Sequence, residues 1–433
     1  DPDRRTINEF CENGAKALAD EGTTRRIGRE FFAEYSVADL ASRTDLWLNQ
    51  QGRLTEPLVL RESGTHYEPV SWEDAFALTA EKLNSLASPD EAVFYTSGRT
   101  SNEAAFLYQL FVRQFGTNNL PDCSNMCHES TSVALAESIG LGKATIRLED
   151  FEKTDLVIVI GQNPGTNAPR MLSSLTAAKN AGAKMIAINP LAEVGLTSFV
   201  DPNPQHGNPL SVLGLRPAKL ADLHLPVRIG GDMAVLKGLM KSLLERERAA
   251  MGTVFDHEFI AAKTDGYGEL IATIDATSWN DIINGSGVGR TQIDEAAAMI
   301  AEARSFITCW AMGVTQHTEA VATIQDIVNL HLLSGAIGRP GAGLCPVRGH
   351  SNVQGDRTMG IWESMDQTFR ENLEREFAFK TPEHDGLDTV KSIAAMRDGR
   401  AKVFFTMGGN FFAASPDTEA VAAAVANCDL TVQ

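Results

Sequence analysis

One pattern recurs along the chain: a short apolar run ends in a loop of glycine and polar residues, and a helical pattern follows. The apolar runs are rich in β-branched and aromatic residues and bounded by turn residues, which is typical of buried parallel strands. Strands that alternate with helices predict βαβ units, and hence an α/β fold of several domains with Rossmann-like parallel sheets. The four runs with the full pattern span residues 92–98, 156–160, 306–310 and 403–407.

Helices are predicted after each of these runs. Further strands are predicted at 182–188, 221–227 and 429–433, and the run at 221–227 is followed by Gly230, Gly231 and Asp232 and a helix at about 233–245. The helices that follow the four full patterns are predicted at about 104–115, 168–180, 318–333 and 416–426.

Ligands of such sheets bind outside the carboxyl ends of the strands, where glycine permits close approach and helix N-termini attract phosphate. A plainer interpretation is that these loops only connect strands to helices, as in any α/β protein. Four such loops, each with an Asn or Gln nearby, favour a large phosphorylated cofactor.

Three stretches do not fit the pattern. Residues 285–289 imitate a dinucleotide fingerprint but follow no convincing strand, and Thr291 is predicted to be a helix N-cap. The charged stretch 362–388 predicts a surface excursion. The stretch 341–355 lacks helix or strand periodicity and predicts a loop.

Composition narrows the function classes. The chain of 433 residues carries 38 basic and 56 acidic side chains, a net charge of −18, which argues against nucleic acid and anionic membranes as partners. Its length predicts about three domains. No apolar run is long enough to cross a membrane. Six irregularly spaced cysteines do not form a disulfide framework or a paired zinc pattern, so we expect a reducing, cytoplasmic location.

Cys127 and His128 form the sharpest local feature. They lie where a loop meets a helical pattern, and the helix dipole there favours a thiolate that binds metal or attacks. The adjacent imidazole can orient a ligand or move a proton. The alternative is a half-buried thiol beside a solvent-facing histidine. Cys123 offers a second, less well placed thiol, and a redox pair of the two is also open.

The stretch 341–355 is the second candidate, because glycine, Asn, Gln and Arg are dense in it. Such a segment suits a loop that binds a cofactor through backbone and amide groups, with Arg348 holding an anion by two hydrogen bonds. The alternative is an ordinary connection after a helix.

Several motifs in a fixed order resemble the molybdopterin oxidoreductases. The similarity is to the formate dehydrogenase alpha-subunit branch, and within it to the acid-resistance-associated, formate-dehydrogenase-like members whose substrate is unassigned. It extends from Phe10 to Gln433. The motifs are YEPVSWEDA at 67–75, GTNN at 116–119, CH at 127–128, GQNP at 161–164, GAK at 182–184, WAMGVTQ at 310–316 and PVRGHSNVQG at 346–355.

The resemblance implies a cofactor of two molybdopterin guanine dinucleotides that hold one Mo or W. It places Cys127 at the protein ligand of the metal, His128 at the adjacent active-site histidine and Arg348 at the arginine that faces the substrate. Residues matching the binding site of one guanine dinucleotide are Gly161, Gln162, Asn163 and Asn189. Those near the other are Gly313, Thr315, Gln316, Asn352, Gln354, Gly408, Gly409 and Asn410.

The resemblance also implies a [4Fe-4S] cluster in an N-terminal domain. Only Cys11 matches a cluster cysteine, and one cysteine cannot bind a cubane cluster. Lys16 is a loose match to the lysine between cluster and pterin. We therefore expect the chain, which starts without Met, to be a fragment that lacks the earlier cysteines and a C-terminal domain.

The domain organisation that the resemblance implies has three parts. Residues 1–55 are predicted to be a remnant of the iron–sulfur domain. Residues 56–122 with 351–433 are predicted to form a discontinuous molybdopterin-binding α/β domain. Residues 123–350 are predicted to form an inserted Rossmann-like domain that binds molybdopterin guanine dinucleotide.

The predicted function is a two-electron oxidation or reduction of a small molecule, with electrons leaving through an iron–sulfur cluster to an unidentified partner. Glu129 departs from the small residue that follows Cys-His in formate dehydrogenases, and a carboxylate there would repel formate by roughly 1–4 kcal/mol at about 4 Å. The alternatives are a catalytically silent electron-transfer or scaffold subunit and a nicotinamide dehydrogenase. The latter requires a Gly-rich fingerprint after a strand, which the sequence lacks.

Overall fold

The computed structural model describes residues 12–197 and 219–433. This part of the chain forms two compact units. The central unit contains the described residues of 126–349, and the split unit contains those of 11–125 together with 350–433. The assignment of chain segments to an iron–sulfur remnant and two molybdopterin-binding domains stays a prediction.

The described residues form twelve strands and twenty-three α-helices, besides two short 3-10 helices at Pro89–Glu91 and Leu148–Glu152. In chain order the strands are β1 (Arg26–Ile27), β2 (Arg53–Leu54), β3 (Leu58–Val59), β4 (Glu68–Pro69), β5 (Ala92–Thr96), β6 (Leu156–Ile160), β7 (Lys184–Ile188), β8 (Leu223–Leu225), β9 (Phe306–Trp310), β10 (Gly343–Pro346), β11 (Val403–Met407) and β12 (Leu430–Val432).

The first helices in chain order are α1 (Glu12–Glu21), α2 (Arg29–Glu34), α3 (Val37–Ala41), α4 (Asp45–Gln51), α5 (Trp72–Asn84), α6 (Asn102–Phe115), α7 (Ser124–Cys127), α8 (Glu129–Ile139), α9 (Pro164–Asn167), α10 (Met171–Asn180), α11 (Val194–Thr197) and α12 (Asp232–Ala249). The remaining helices are α13 (His257–Lys263), α14 (Tyr267–Ala276), α15 (Trp279–Ser286), α16 (Arg290–Glu302), α17 (Met312–Thr315), α18 (Ala320–Leu333), α19 (Val353–Thr358), α20 (Gln367–Phe377), α21 (Thr389–Arg397), α22 (Phe411–Ala414) and α23 (Thr418–Val425).

A five-stranded parallel sheet organises the central unit, in the order β10-β9-β6-β7-β8. The chain first builds outward from β6 through β7 to β8, and then returns to add β9 and β10 on the other side of β6. The direction of winding therefore reverses between β6 and β9. In sheets of this kind the crevice beyond the carboxyl ends of the strands at the reversal is the usual ligand site.

Both faces of this sheet are buried, as the apolar strand sequences require. Leu156, Ile158 and Ile160 of β6 pack into one hydrophobic cluster with α8, α12, α16 and α18. Val157 and Val159, which point the other way, pack into a second cluster with Leu172, Leu175 and Ala178 of α10. Alternation of side chains along a strand thus supplies two cores, one on each face.

The split unit repeats this arrangement with three parallel strands, in the order β12-β11-β5. Val93 and Tyr95 of β5 enter one core, and Ala92 and Phe94 enter another. Two pairs of very short strands lie in the N-terminal part of this unit. β1 pairs with β2 in the parallel sense, and β3 pairs with β4 in the antiparallel sense. The predicted α/β class with parallel sheets is confirmed.

The four predicted strand–loop–helix patterns are confirmed at β5, β6, β9 and β11, although a one-turn helix precedes the main helix in the last three. One local prediction is wrong. Gly289, not Thr291, is the N-cap residue of α16, because the helix begins at Arg290. The stretch 362–388, predicted as a surface excursion, contains the helix α20, in which Leu373 is the buried residue.

The stretch 341–355 is also more regular than predicted, since it contains β10 and the start of α19. Its four-residue strand is too short to show a period. Pro346 fits there because β10 is an edge strand, where a missing N–H is tolerated.

Candidate functional site

The three residues predicted to carry chemistry all belong to the central unit. Cys127 is the last residue of α7, and His128 is the N-cap residue of α8. Arg348 follows the end of β10 by two residues. Cys127 and Arg348 are half-buried, whereas His128 is fully buried. The predicted helix start after Cys127 is confirmed, since α8 begins at Glu129 with His128 as its N-cap residue.

His128 is held by the protein at both ring nitrogens. Its Nε2 lies 3.1 Å from the carbonyl oxygen of Val347, and its Nδ1 lies 3.1 Å from the Thr131 hydroxyl. Burial, and then the positive charge of Arg348, lower the pKa of His128 to about 3. The imidazole is therefore neutral near neutral pH. Its predicted part in proton transfer stays a prediction.

The loop after β9 is hydrogen-bonded to the backbone around Cys127. The Thr315 hydroxyl donates to the carbonyl of Cys127 at 2.5 Å, and the Gln316 amide donates to the carbonyl of Met126 at 3.3 Å. In return the Ser130 hydroxyl donates to the carbonyl of Thr315 at 3.0 Å. Two residues predicted to contact a cofactor thus have a second role, because they fix the chain at the predicted metal ligand.

Gly161 and Gly313 bring the loops after β6 and β9 into backbone contact. The Gly313 N–H donates to the carbonyl of Gly161 at 3.0 Å, and Gly161 has a φ of +59°. A Cβ on Gly313 would lie 2.6 Å from that carbonyl oxygen, which no side chain tolerates. These glycines are explained by packing alone, and their predicted contact with a cofactor stays a prediction.

Gln162, Asn163 and Asn189 gather at the ends of the adjacent strands β6 and β7. Asn189 clamps the backbone of Gln162, since its Oδ1 accepts from the Gln162 N–H at 3.1 Å and its Nδ2 donates to the carbonyl at 2.9 Å. Asn163 caps α9 and donates to Glu193 at 2.7 Å. Gln162 is 3% exposed, and its Oε1 has no hydrogen-bond partner among the described residues. A buried acceptor of this kind favours a ligand that donates a hydrogen bond.

Asp232 is a candidate that sequence reasoning missed. It is buried at the first turn of α12 and lines a cavity of about 190 Å³ together with His317 and Thr323. Burial raises the pKa of Asp232 to about 6. The sequence does contain a signal for Asp232, because Gly230 and Gly231 mark a loop between a strand and a helix. No role was assigned to the carboxylate that follows them. Such a carboxylate can accept two N–H groups from one planar ligand.

The other predicted cofactor residues lie in the split unit, near the carboxyl ends of β5 and β11. Asn352 donates to the Thr100 carbonyl at 2.6 Å, and Asn410 caps α22. Gln354, Gly408 and Gly409 are exposed. The structure therefore brings these residues, which were matched through the resemblance, to one edge of the sheet, and their contact with a cofactor stays a prediction.

A charged cluster behind this edge also escaped sequence reasoning. Arg357 donates to both carboxylate oxygens of buried Asp122, at 2.8 and 3.0 Å. Asp356 is fully buried beside them, and its Oδ2 has no hydrogen-bond partner in the described part of the chain. Burial, and then the Asp122 carboxylate, raise the pKa of Asp356 to about 7. The cluster therefore holds a carboxyl group that titrates near neutral pH.

Some predictions cannot be placed. Cys11 lies outside the described residues, and Lys16 is exposed on α1.

Within residues 12–197 and 219–433, no cluster of three or more His, Cys, Asp or Glu side chains is arranged to hold a metal ion. In the same residues, every helix is too short or too polar to cross a membrane.

Comparison with known proteins decides the family. The family model described as molybdopterin oxidoreductase matches residues 53–433. The chain belongs to the molybdopterin oxidoreductase family. An uncharacterized oxidoreductase of Mycobacterium tuberculosis is 53% identical over the whole chain, and protein YdeP of Escherichia coli is 50% identical. Formate dehydrogenase H of Escherichia coli is 28% identical over 98% of the chain, which confirms the resemblance to the formate dehydrogenase-like branch.

This molybdopterin oxidoreductase chain spans about half the length of the curated relatives it matches, 55% of the mycobacterial protein and 57% of YdeP. Among solved structures, acetylene hydratase from Pelobacter acetylenicus matches 98% of the chain with a TM-score of 0.68 and 17% identity, and the match covers 55% of that protein. At this identity the likeness concerns the fold.

Proposed function

We propose that the chain is the core of an enzyme that uses a bis-molybdopterin guanine dinucleotide cofactor with Mo or W to oxidise or reduce a small molecule. The observation that carries this proposal is the placement of Cys127 and Arg348. Both are half-buried in one compact unit, and both adjoin residues that hydrogen-bond to each other, His128 and Val347. A soft thiolate ligand suits a redox metal, and a guanidinium suits an oxygen-bearing substrate.

The described residues fit such a cofactor. At the winding reversal of the central sheet, Gln162 has a buried acceptor without a partner in the described chain, and Asp232 supplies a buried carboxylate at a cavity. Asp232 would hold the N–H groups of a guanine base, and Gln162 would accept from a second donor of the nucleotide. In the split unit, the second molybdopterin guanine dinucleotide would be held by Asn352, Gln354 and the segment from Gly408 to Asn410.

Each active residue then has a part in the reaction. Cys127 would ligate the metal, with its thiolate favoured by the N-terminus of α8. Arg348 would bind the oxygen atoms of the substrate. When bound, the metal centre supplies two-electron redox chemistry. In the complete protein the electrons would pass to a [4Fe-4S] cluster for which Cys11 is one ligand, and from there to a redox partner.

The substrate class follows from charge. Glu129 lies in the first turn of α8 directly after His128, so its carboxylate disfavours small anions unless Arg348 offsets it. We therefore favour a neutral or weakly charged substrate over formate. The sparse cysteines and the charge of −18 favour a cytoplasmic enzyme that binds neither nucleic acid nor membrane.

Elemental analysis of the complete protein, expressed in a host that makes the cofactor, tests this proposal. We expect about one Mo or W per chain, guanosine monophosphate released by acid hydrolysis at two per metal, and reduction of a redox dye by at least one small substrate. A protein with neither Mo nor W would contradict the proposal and favour the silent subunit. Saturable binding of NADH would favour the nicotinamide dehydrogenase.

A further inference from the structure

Four hydrogen bonds form a closed ring around His128. The Val347 N–H donates to the carbonyl of Trp310 at 2.8 Å. The Trp310 indole Nε1 lies 3.1 Å from the Thr131 hydroxyl oxygen, and that hydroxyl lies 3.1 Å from His128 Nδ1. His128 Nε2 completes the ring at the carbonyl of Val347, 3.1 Å away. The ring joins the ends of β9 and β10 to the start of α8.

The chemistry of the groups gives the ring one direction. An indole N–H can only donate, so the Thr131 oxygen accepts from Trp310. A backbone carbonyl can only accept, so His128 donates from Nε2 to Val347. The Thr131 hydroxyl hydrogen then points to Nδ1. Each donor has one acceptor, and the ring is complete without water.

The three side chains of the ring are buried from solvent. His128, Thr131 and Trp310 have no exposed surface. Deleting one group would leave a buried partner unsatisfied, which costs more than the net worth of an exposed hydrogen bond. The three side chains therefore hold one geometry.

The ring lies between the two residues on which the proposed function depends. Cys127 immediately precedes His128, and Arg348 immediately follows Val347. The His128–Val347 hydrogen bond thus links the neighbours of the predicted metal ligand and of the predicted substrate-binding arginine. Thr131 and Trp310 orient the imidazole that makes this link.

We propose that Thr131 and Trp310 are positioning residues that act through His128 to fix the separation of Cys127 and Arg348. This inference rests on the proposed function only for its effect on turnover. The ring itself is a property of the protein chain. Neither residue was assigned a role from the sequence, because residues 131, 310 and 347 are brought together only by the fold.

The test uses matched variants of the full chain. Thr131→Val removes the hydroxyl but keeps the shape, and Thr131→Ser keeps the hydroxyl. Trp310→Phe removes the indole N–H and serves as a second variant should Thr131→Val fail to fold. Amide hydrogen exchange of the segments 126–133 and 343–350 is measured without reference to activity. We expect at least tenfold faster exchange in Thr131→Val and Trp310→Phe, and less than twofold change in Thr131→Ser.

A second measurement connects the ring to turnover. In metal-loaded enzyme, we expect Thr131→Val to lower kcat/KM at least tenfold at unchanged metal content, with Thr131→Ser near the parent value. Faster exchange with kcat/KM within twofold of the parent would overturn the positioning role, and so would unchanged exchange. A parent protein without metal or turnover refutes the proposed function instead, while the exchange data still decide whether the ring holds these segments.

Discussion

The two units satisfy their buried polar side chains in different ways. In the central unit the groups of the Asn189 clamp on Gln162 and of the ring through His128 are neutral and partner one another. In the split unit Arg357 pairs with Asp122, and the neighbouring Asp356 has an Oδ2 without a hydrogen-bond partner among the described residues. One unit fixes geometry with neutral groups, and the other keeps a buried charge imbalance that responds to pH.

The largest expected effect comes from removing the cation of the split unit. Arg357→Ala leaves the buried Asp122 carboxylate without its ion pair, beside a second carboxyl group. Loss of one partner of a buried pair costs about 3–5 kcal/mol. Urea unfolding measures this free energy. Arg375→Ala, which breaks an exposed pair with Glu376, is the control and should change stability by less than about 0.5 kcal/mol. Equal effects of the two variants would mean that the cluster is not a buried charge site.

The second prediction concerns the pH dependence of stability, which the split unit shows through Asp356. The pKa of Asp356 is raised to about 7 in the folded state, so the folded protein keeps a proton that the unfolded chain releases above pH 4. Stability is then fully present below that pH and is lost as the pH rises through about 7. Asp356→Asn removes this loss, and we expect it to stabilise the protein by about 2 kcal/mol at pH 8 but little at pH 4. A pH-independent difference between variant and parent would show that Asp356 does not titrate in this range.

In the central unit we expect a comparable loss of stability only when a charged side chain replaces Asn189 in its clamp on Gln162. Asn189→Asp replaces the donor to the Gln162 carbonyl with a carboxylate oxygen. We expect a loss of about 2 kcal/mol in the free energy of unfolding, because a buried acceptor then faces an acceptor. Asn280→Asp, at an exposed position near the start of α15, is the matched control and should be close to neutral. Similar free energies of unfolding for the two variants would show that the Asn189 clamp does not stabilise the central unit.

The smallest expected effect concerns substrate charge. Glu129→Gln removes the carboxylate that follows His128, and we expect formate to bind about fivefold more tightly, as a substrate or as a competitive inhibitor. Steady-state kinetics at low ionic strength measure this change. Glu137→Gln, on the same helix but exposed, is the control. Should formate turn over rapidly in the parent enzyme, the argument against formate is wrong.

The sequence predicted what depends on local pattern. The strands at 156–160 and 306–310 and the helix after Cys127 follow from apolar runs and helical periodicity, whereas Gln162 and Asn189 were grouped through the family resemblance. The ring through Thr131 and Trp310 could not be predicted, because its members are up to 219 residues apart and nothing in their spacing links them. Asp356 was missed for a related reason, since its unusual pKa comes from burial beside Asp122 and not from its neighbours in sequence.

The number of sulfur ligands on the metal is the most direct test of the proposal that Cys127 binds it. X-ray absorption at the Mo or W edge of the complete protein counts the sulfur atoms around the metal. We predict that Cys127→Ala loses one sulfur ligand and at least a hundredfold in dye-linked turnover, while Cys428→Ser, at a half-buried cysteine in the split unit, retains both. An unchanged sulfur count and full turnover in Cys127→Ala would contradict the account.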